Sequence, residues 1–289
     1  MSTFIKEDTL KALEVGLSRS IVQKEGAGSA ACVRGGSGTL YASGSIETET
    51  HLLSIPPEVS ALYHALVHRD LPIQEVVLMQ DDPSLSPLSA KVLIDAAARI
   101  GNTFPFSLVA QSGEIYVETN DVRTIFPLYR SPAEPLEEFC AESYRDDHYE
   151  ESVRPEDMRA LALSGMELHI RSKNTGSRYG AALRTKDGRA YIAGSFSAPD
   201  RRLGLHAEMA AFTLLLADGG RDIAEIAIVS EKFPETPCSM CGCCRQFFAD
   251  IARALSLSDI TVTGYAQRAD TKASWSLTSL MPSPWTSRK

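Results

Sequence analysis

The chain has 289 residues, 44% hydrophobic and 23% charged, with a formal net charge of −8; that length suits one large domain or two of about 130–150 residues. The acidic balance argues against nucleic acid as the main partner, since phosphate binding needs clustered Lys and Arg, and nothing approaches the roughly 18 apolar residues of a membrane span. The opening Met1-Ser2-Thr3-Phe4-Ile5-Lys6-Glu7-Asp8 carries acid where a secretory signal has its apolar run, so a cytoplasmic location is expected.

Along its length the chain repeats itself at an offset of 150 residues. Leu13 answers to Leu163, Gly26 to Gly176, Ala31 to Ala181, Arg34 to Arg184, Gly38 to Gly188 and Tyr41 to Tyr191. Further on, Gly44-Ser45 answers to Gly194-Ser195, Leu53 to Leu203, Glu58 to Glu208, Ile73 to Ile223, Glu75 to Glu225 and Pro87 to Pro237. Chance does not keep so many glycines, prolines and apolar positions in register without a gap, and two copies of one fold explain it. The first copy occupies 1–130. A segment rich in Pro, Glu and Asp, 131–153, joins it to the second copy at 154–289.

In the second copy a helix is expected from Pro155-Glu156 to about Arg171, on the spacing of its apolar residues. Tyr179–Leu183 reads as a strand, Lys186-Asp187-Gly188 as a turn, and Ala190–Gly194 as the returning strand of a hairpin. A helix near His206 carries Met209, Ala210, Phe212, Leu214, Leu215 and Leu216. Ile223–Val229 is a buried strand, a second helix runs from Cys238 through Phe247, Phe248, Ile251 and Leu255, and Ile260–Thr263 is a further strand. Hairpin, helix, strand, helix, strand implies an α/β fold, each copy a mixed β-sheet between helices.

The chemistry concentrates in His206-Ala207-Glu208 and Pro237-Cys238-Ser239-Met240-Cys241. One imidazole and two thiolates make three ligands of a catalytic zinc whose fourth position holds water, and Glu208 stands where a carboxylate can move protons without ligating the metal. Four of the six cysteines (Cys32, Cys140, Cys238, Cys241, Cys243, Cys244) fall within seven positions, poor spacing for a disulfide framework and good spacing for metal. In the first copy Pro56 stands at the place of His206, Leu88 at that of Cys238 and Lys91 at that of Cys241. Glu58 alone survives, so this copy is expected to bind no zinc and to serve as a packing surface, as part of the active-site wall, or as both.

H-x-E followed by P-C-x-x-C is the signature of the zinc nucleobase deaminases, and the chain resembles the cytidine deaminase family in its long form with two related domains. Tyr179-Gly180-Ala181-Ala182-Leu183 resembles the family's V-G-A-A strand, and Asp187-Gly188-Arg189 with Tyr191 and Gly194 its D-G-R hairpin. Leu203-Gly204-Leu205-His206-Ala207-Glu208 resembles the start of its zinc helix, while Leu280-Met281-Pro282, like Ile125-Phe126-Pro127 in the first copy, resembles its terminal L-L-P. Long members place the catalytic domain first; here the silent copy leads. The resemblance implies two tandem cytidine-deaminase-like domains and zinc-dependent hydrolysis of the amino group of a small cytosine-type compound. It also implies Glu208 as proton carrier, main-chain groups of Ala207 and Thr236 on the ring edge, and a homodimer.

Two departures qualify this. The family follows P-C-G-x-C directly with Arg-Gln, whereas Arg245-Gln246 here follows Cys244. Two ligand pairs are therefore open with His206: Cys238 with Cys241, preferred because Pro237 precedes Cys238 and a helix N-terminus there stabilises thiolates, or Cys241 with Cys244. Arg245 then either offsets the thiolate charge or is a surface residue. Second, the family's G-x-N-x-E segment, whose Asn and Glu hold a ribose hydroxyl, reads Gly194-Ser195-Phe196-Ser197-Ala198. Losing those groups removes their discrimination, so modified cytosine compounds are candidates beside cytidine, with Phe196 as a pocket-lining or core residue and Asp200-Arg201-Arg202 as a loop that meets a charged substituent or is simply solvated. Two other functions stand beside a deaminase: a binding protein with a structural zinc, against which Glu208 argues, and a polynucleotide editor, against which the charge argues.

Overall fold

The computed structural model describes residues 5–23, 28–133, 157–170 and 177–286. The first copy runs α1 (Glu7–Ser18), β1 (Ala30–Arg34), β2 (Leu40–Gly44), α2 (Pro57–Val67), β3 (Glu75–Met79), α3 (Pro87–Ile100), β4 (Phe106–Val109) and β5 (Ile115–Thr119). The second runs α4 (Met158–Glu167), β6 (Tyr179–Arg184), β7 (Ala190–Gly194), α5 (Ala207–Ala217), β8 (Glu225–Ser230), α6 (Gly242–Ala254), β9 (Thr261–Tyr265), β10 (Lys272–Ser276) and α7 (Leu277–Leu280). The joining segment at 134–153, the start of the expected helix at Pro155-Glu156, its end at Arg171 and the pair Gly26 and Gly176 lie outside the described residues.

Each copy forms one five-stranded sheet, in the order β2-β1-β3-β4-β5 and β7-β6-β8-β9-β10. All neighbours are antiparallel except β3 with β4 and β8 with β9, which are parallel. The mixed sheet follows from the chain's order. The hairpins turn tightly through Gly38 and Gly188, at φ of 90° and 91°, where a residue with a Cβ is strained. The parallel strands then need a crossover, which α3 and α6 supply. The edge strands β5 and β10 escape the sequence pattern: in Lys272-Ala273-Ser274-Trp275-Ser276 only Ala273 and Trp275 alternate with polar residues, and none is fully buried.

Two corrections concern register. The gapless offset holds from α1 through β3 and β8 but fails beyond them. Val76 of β3 pairs with Phe106 while its counterpart Ile226 of β8 pairs with Val262, so the second copy is longer in between. The helix expected from Cys238 begins at Gly242, with Cys241 as its N-cap, just as α3 begins after the N-cap Ser86. The first-copy counterpart of Cys241 is therefore Ser86, not Lys91, that of Cys244 is Ser89, and Leu88 does not answer to Cys238.

Helices α2 and α5 are buried on nearly every face, which is why they carry no polar stripe. They pack on each other as well as on their sheets, and one apolar cluster runs through both copies. Polar contacts cross the same boundary. The Tyr63 hydroxyl donates to the Gly194 carbonyl (3.2 Å), and His64 lies between Ser43 (3.4 Å) and Thr213 (3.2 Å). No helix among the described residues is long and apolar enough to cross a membrane.

Candidate active site

His206 is the N-cap of α5 and Cys241 the N-cap of α6, so two helix N-termini converge on one point and favour anionic ligands there. Among the described residues one group brings three ligating side chains close: the imidazole and sulfur atoms of His206, Cys241 and Cys244 lie within 4.8 Å of one another. His206 Nδ1 is 3.2 Å from Cys241 Sγ and 3.3 Å from Cys244 Sγ. The preferred pairing in the sequence, Cys238 with Cys241, is not the one the fold brings to His206. Cys238 lies four residues before the helix, its N–H bonded to the Tyr265 carbonyl at the end of β9 (3.3 Å) and its thiol turned to the Ser239 carbonyl (3.9 Å).

Electrostatics single out one of the thiols, Cys241. The Cys244 thiol donates to Cys241, which holds the Cys241 sulfur as a thiolate with its pKa lowered to about 3, aided by His206 and opposed by burial. The same bond and burial push Cys244 up, and the Cys241 thiolate raises the His206 imidazole. Burial likewise drives Cys238 to about 12, so its distance from His206, and not its proton affinity, distinguishes it from Cys244. The proton between Cys244 and Cys241 is the one a metal would displace, so two sulfurs and one imidazole nitrogen at these spacings fit zinc by donor type.

Glu208, in the first turn of α5, is buried, and burial raises its pKa against the opposing charge of His206. It also hydrogen-bonds Cys244. The first copy preserves this relation without the metal donors: Glu58 is equally buried, Ser89 hydrogen-bonds it, and Pro56 and Ser86 hold the two N-cap positions.

A cavity of about 920 Å³ opens onto the site, lined in part by His206, Ala207, Glu208 and Cys241. Phe196 lines it too and also belongs to the core, at 9% exposure, so it has both of the roles weighed for it. Cys238 forms wall; Thr236 is exposed and outside the lining, where Ser239 takes the place beside the ligand turn. Arg202 pairs with Asp200 (2.5 Å) and lines a separate, smaller cavity, and nothing is described of the Arg201 side chain. Arg245 bonds the Met240 carbonyl (2.7 Å), the Ser239 hydroxyl (3.0 Å) and the Leu280 carbonyl (3.4 Å), so it ties down the ligand turn.

The chain is similar to solved cytidine deaminases. That of Burkholderia pseudomallei shares 26% identity over 44% of this chain and 96% of its own, with a TM-score of 0.39. The enzyme of Mycobacterium leprae shares 17% over 44% and 95%, at 0.34, and that of Mycobacterium tuberculosis 22% over 44% and 94%, at 0.35. No family model matches the chain.

Several cavity residues escaped the sequence, three of them polar side chains with chemistry of their own. His169, whose Nδ1 lies 2.6 Å from Ser195 Oγ, follows α4 with no motif around it. Lys232 sits in the loop after β8, and Ser239 follows only from the later cysteine pair. None belongs to a spacing pattern that would mark it.

Proposed function

We propose that the protein is a zinc-dependent aminohydrolase acting on cytidine or a related cytosine compound. What carries the reading is the union of two things in one cavity: a His–Cys–Cys donor set and a buried carboxyl beside it. His206, Cys241 and Cys244 are the residues that would hold zinc, and the metal, when bound, supplies a water acidified enough to give up a proton near neutral pH. Glu208 takes that proton, and its raised proton affinity lets it hold the proton at a carboxyl oxygen. It then passes the proton to the ring nitrogen beside the amino-bearing carbon and helps the amine leave as ammonia. The main chain of Ala207 and the side of Ser239 face the ring edge, and the aromatic face of Phe196 excludes water from one wall.

A structural zinc alone has no use for a buried, proton-holding carboxyl facing a cavity, which favours the enzyme over a binding protein. We read the working molecule as a cytoplasmic homodimer with one zinc site per chain and the first copy silent, which solution mass and metal stoichiometry check. The chemical test is ammonia release from a panel of cytosine nucleosides, nucleotides and modified cytosine compounds, with zinc measured alongside. Glu208→Gln should retain its zinc and lose turnover by about a hundredfold or more, the scale of a lost general acid–base group. Full zinc with no turnover on any compound, or an active Glu208→Gln, overturns the proposal.

A further inference from the structure

We propose that Arg99, on α3 of the copy without the zinc donors, is a positioning residue for the substrate cavity of the other copy. The inference rests on the deaminase reading of that cavity. Phe196, Ala198 and Pro199 form a partition: they line the large cavity on one side and, on the other, a small space of about 20 Å³ between the copies that Arg99 and Asp95 complete.

The backbone of the partition is pinned from both edges. Phe196 exchanges hydrogen bonds with Leu205 (2.8 and 2.9 Å), and Ile170 bonds the Ser195 carbonyl (3.0 Å) and the Ser197 N–H (3.1 Å). Those contacts fix the main chain but leave the ring of Phe196 to be held by packing. Two first-copy side chains meet it: Tyr63, with ring centroids 6.2 Å apart, and Arg99, whose guanidinium carbon is 5.3 Å from the ring centroid. Arg99 also donates through Nη2 to the Ser197 carbonyl.

Arg99 is only 2% exposed, and its Nη1 has no hydrogen-bond partner among the described residues. Asp95, one turn earlier, accepts at Oδ1 from the hydroxyls of Tyr129 (2.9 Å) and Ser131 (2.5 Å) and makes no close ion pair with Arg99. A buried cation is costly unless fixed dipoles offset its lost hydration. Here the charge of Asp95 one turn away contributes, but the ring face and the carbonyl that meet the guanidinium directly both belong to the partition, so guanidinium and wall hold each other in place. The silent copy thereby sets the ring orientation that the substrate meets, and it does so from behind the wall without touching substrate.

The test uses the zinc-loaded full-length protein and the cytosine nucleoside that turns over fastest. In a Glu208→Gln background, Arg99→Met should weaken binding of that nucleoside by calorimetry about tenfold, the scale of a desolvated cation–π contact. With Glu208 intact, KM should rise by the same factor and kcat stay within about twofold, the mark of lost uniform binding. Arg99→Lys, which keeps the charge but not the planar fork, should recover part of the loss, and both variants should keep full zinc. Unchanged Kd and KM in a folded Arg99→Met overturn the inference. So does a joint fall in zinc content and melting temperature with Lys no better than Met, since that marks a packing role only. Wild-type protein with full zinc and no turnover on any cytosine compound instead overturns the deaminase reading, and this inference with it.

Discussion

Two thiols meet His206 and a third, Cys238, lines the same cavity, and their surroundings give them different chemistry. Cys241 caps α6, where backbone N–H groups and His206 favour a thiolate; Cys244 sits one turn into the helix on the same side; Cys238 is a buried thiol in the wall. Cys244→Ser should therefore lose zinc, by about a hundredfold or more in affinity given the share of one ligand in a structural-zinc binding energy, while Cys238→Ser keeps it. Competition with a chromogenic chelator measures both, and metal loss in Cys238→Ser with retention in Cys244→Ser would reverse the assignment. That His206, Glu208 and Cys241 come together was legible from spacing, because metal chemistry demands those residue types close to one another, while Ala207 followed only from the family resemblance. The second sulfur beside His206 was not: the spacing C-x-x-C occurs twice between Cys238 and Cys244, and only the start of the helix decides between them.

That start is fixed at the level of elements. The chain leaves β8, passes Cys238 against the end of β9, and only then turns into α6. Gly264 in β9 makes the close approach possible, because a Cβ there would overlap the Cys238 carbonyl oxygen. Gly264→Ala should cost about 1–3 kcal/mol by overpacking and also loosen the turn from Cys238 to Cys241. We expect a lower melting temperature for the metal-free protein and weaker zinc binding than in Gly180→Ala, whose clash is with α4. Equal zinc affinity in the two variants would uncouple β9 from the ligand turn. The hairpins, the helices and the buried strands were legible because turn glycines and apolar runs are local signals. The edge strands β5 and β10, and the extra residues before α6, were not: both strands pair only with the strand just before them and bury no residue fully, so their apolar signal is weak.

On the scale of the whole molecule, the two copies share one core, and the groups that cross it tie folding to pH. His64 of α2 is buried between Ser43 of its own sheet and Thr213 of α5, and burial, aided by the charge of His68, lowers its pKa from 6.5 to about 3. It is thus neutral in the folded protein across the ordinary range, whereas in the unfolded chain it takes up a proton below about 6.5. Its neutral form is compatible with the fold at every pH above that value. As pH falls from about 6.5 toward 3 the unfolded state binds the extra proton and stability is lost. Glu58 and Glu208, buried with raised proton affinity, act in the opposite sense and favour the folded state toward acid. The wild-type profile is therefore a sum of opposed slopes, and the histidine's share shows only in a difference. His64→Gln keeps polar atoms between Ser43 and Thr213 but cannot titrate, so its melting temperature should fall less than wild type between pH 7.5 and pH 5, with the two proteins diverging only below about pH 6.5. Parallel profiles would mean that His64 reaches solvent or a counter-charge in the folded state, and that the junction between the copies is looser than its contacts require.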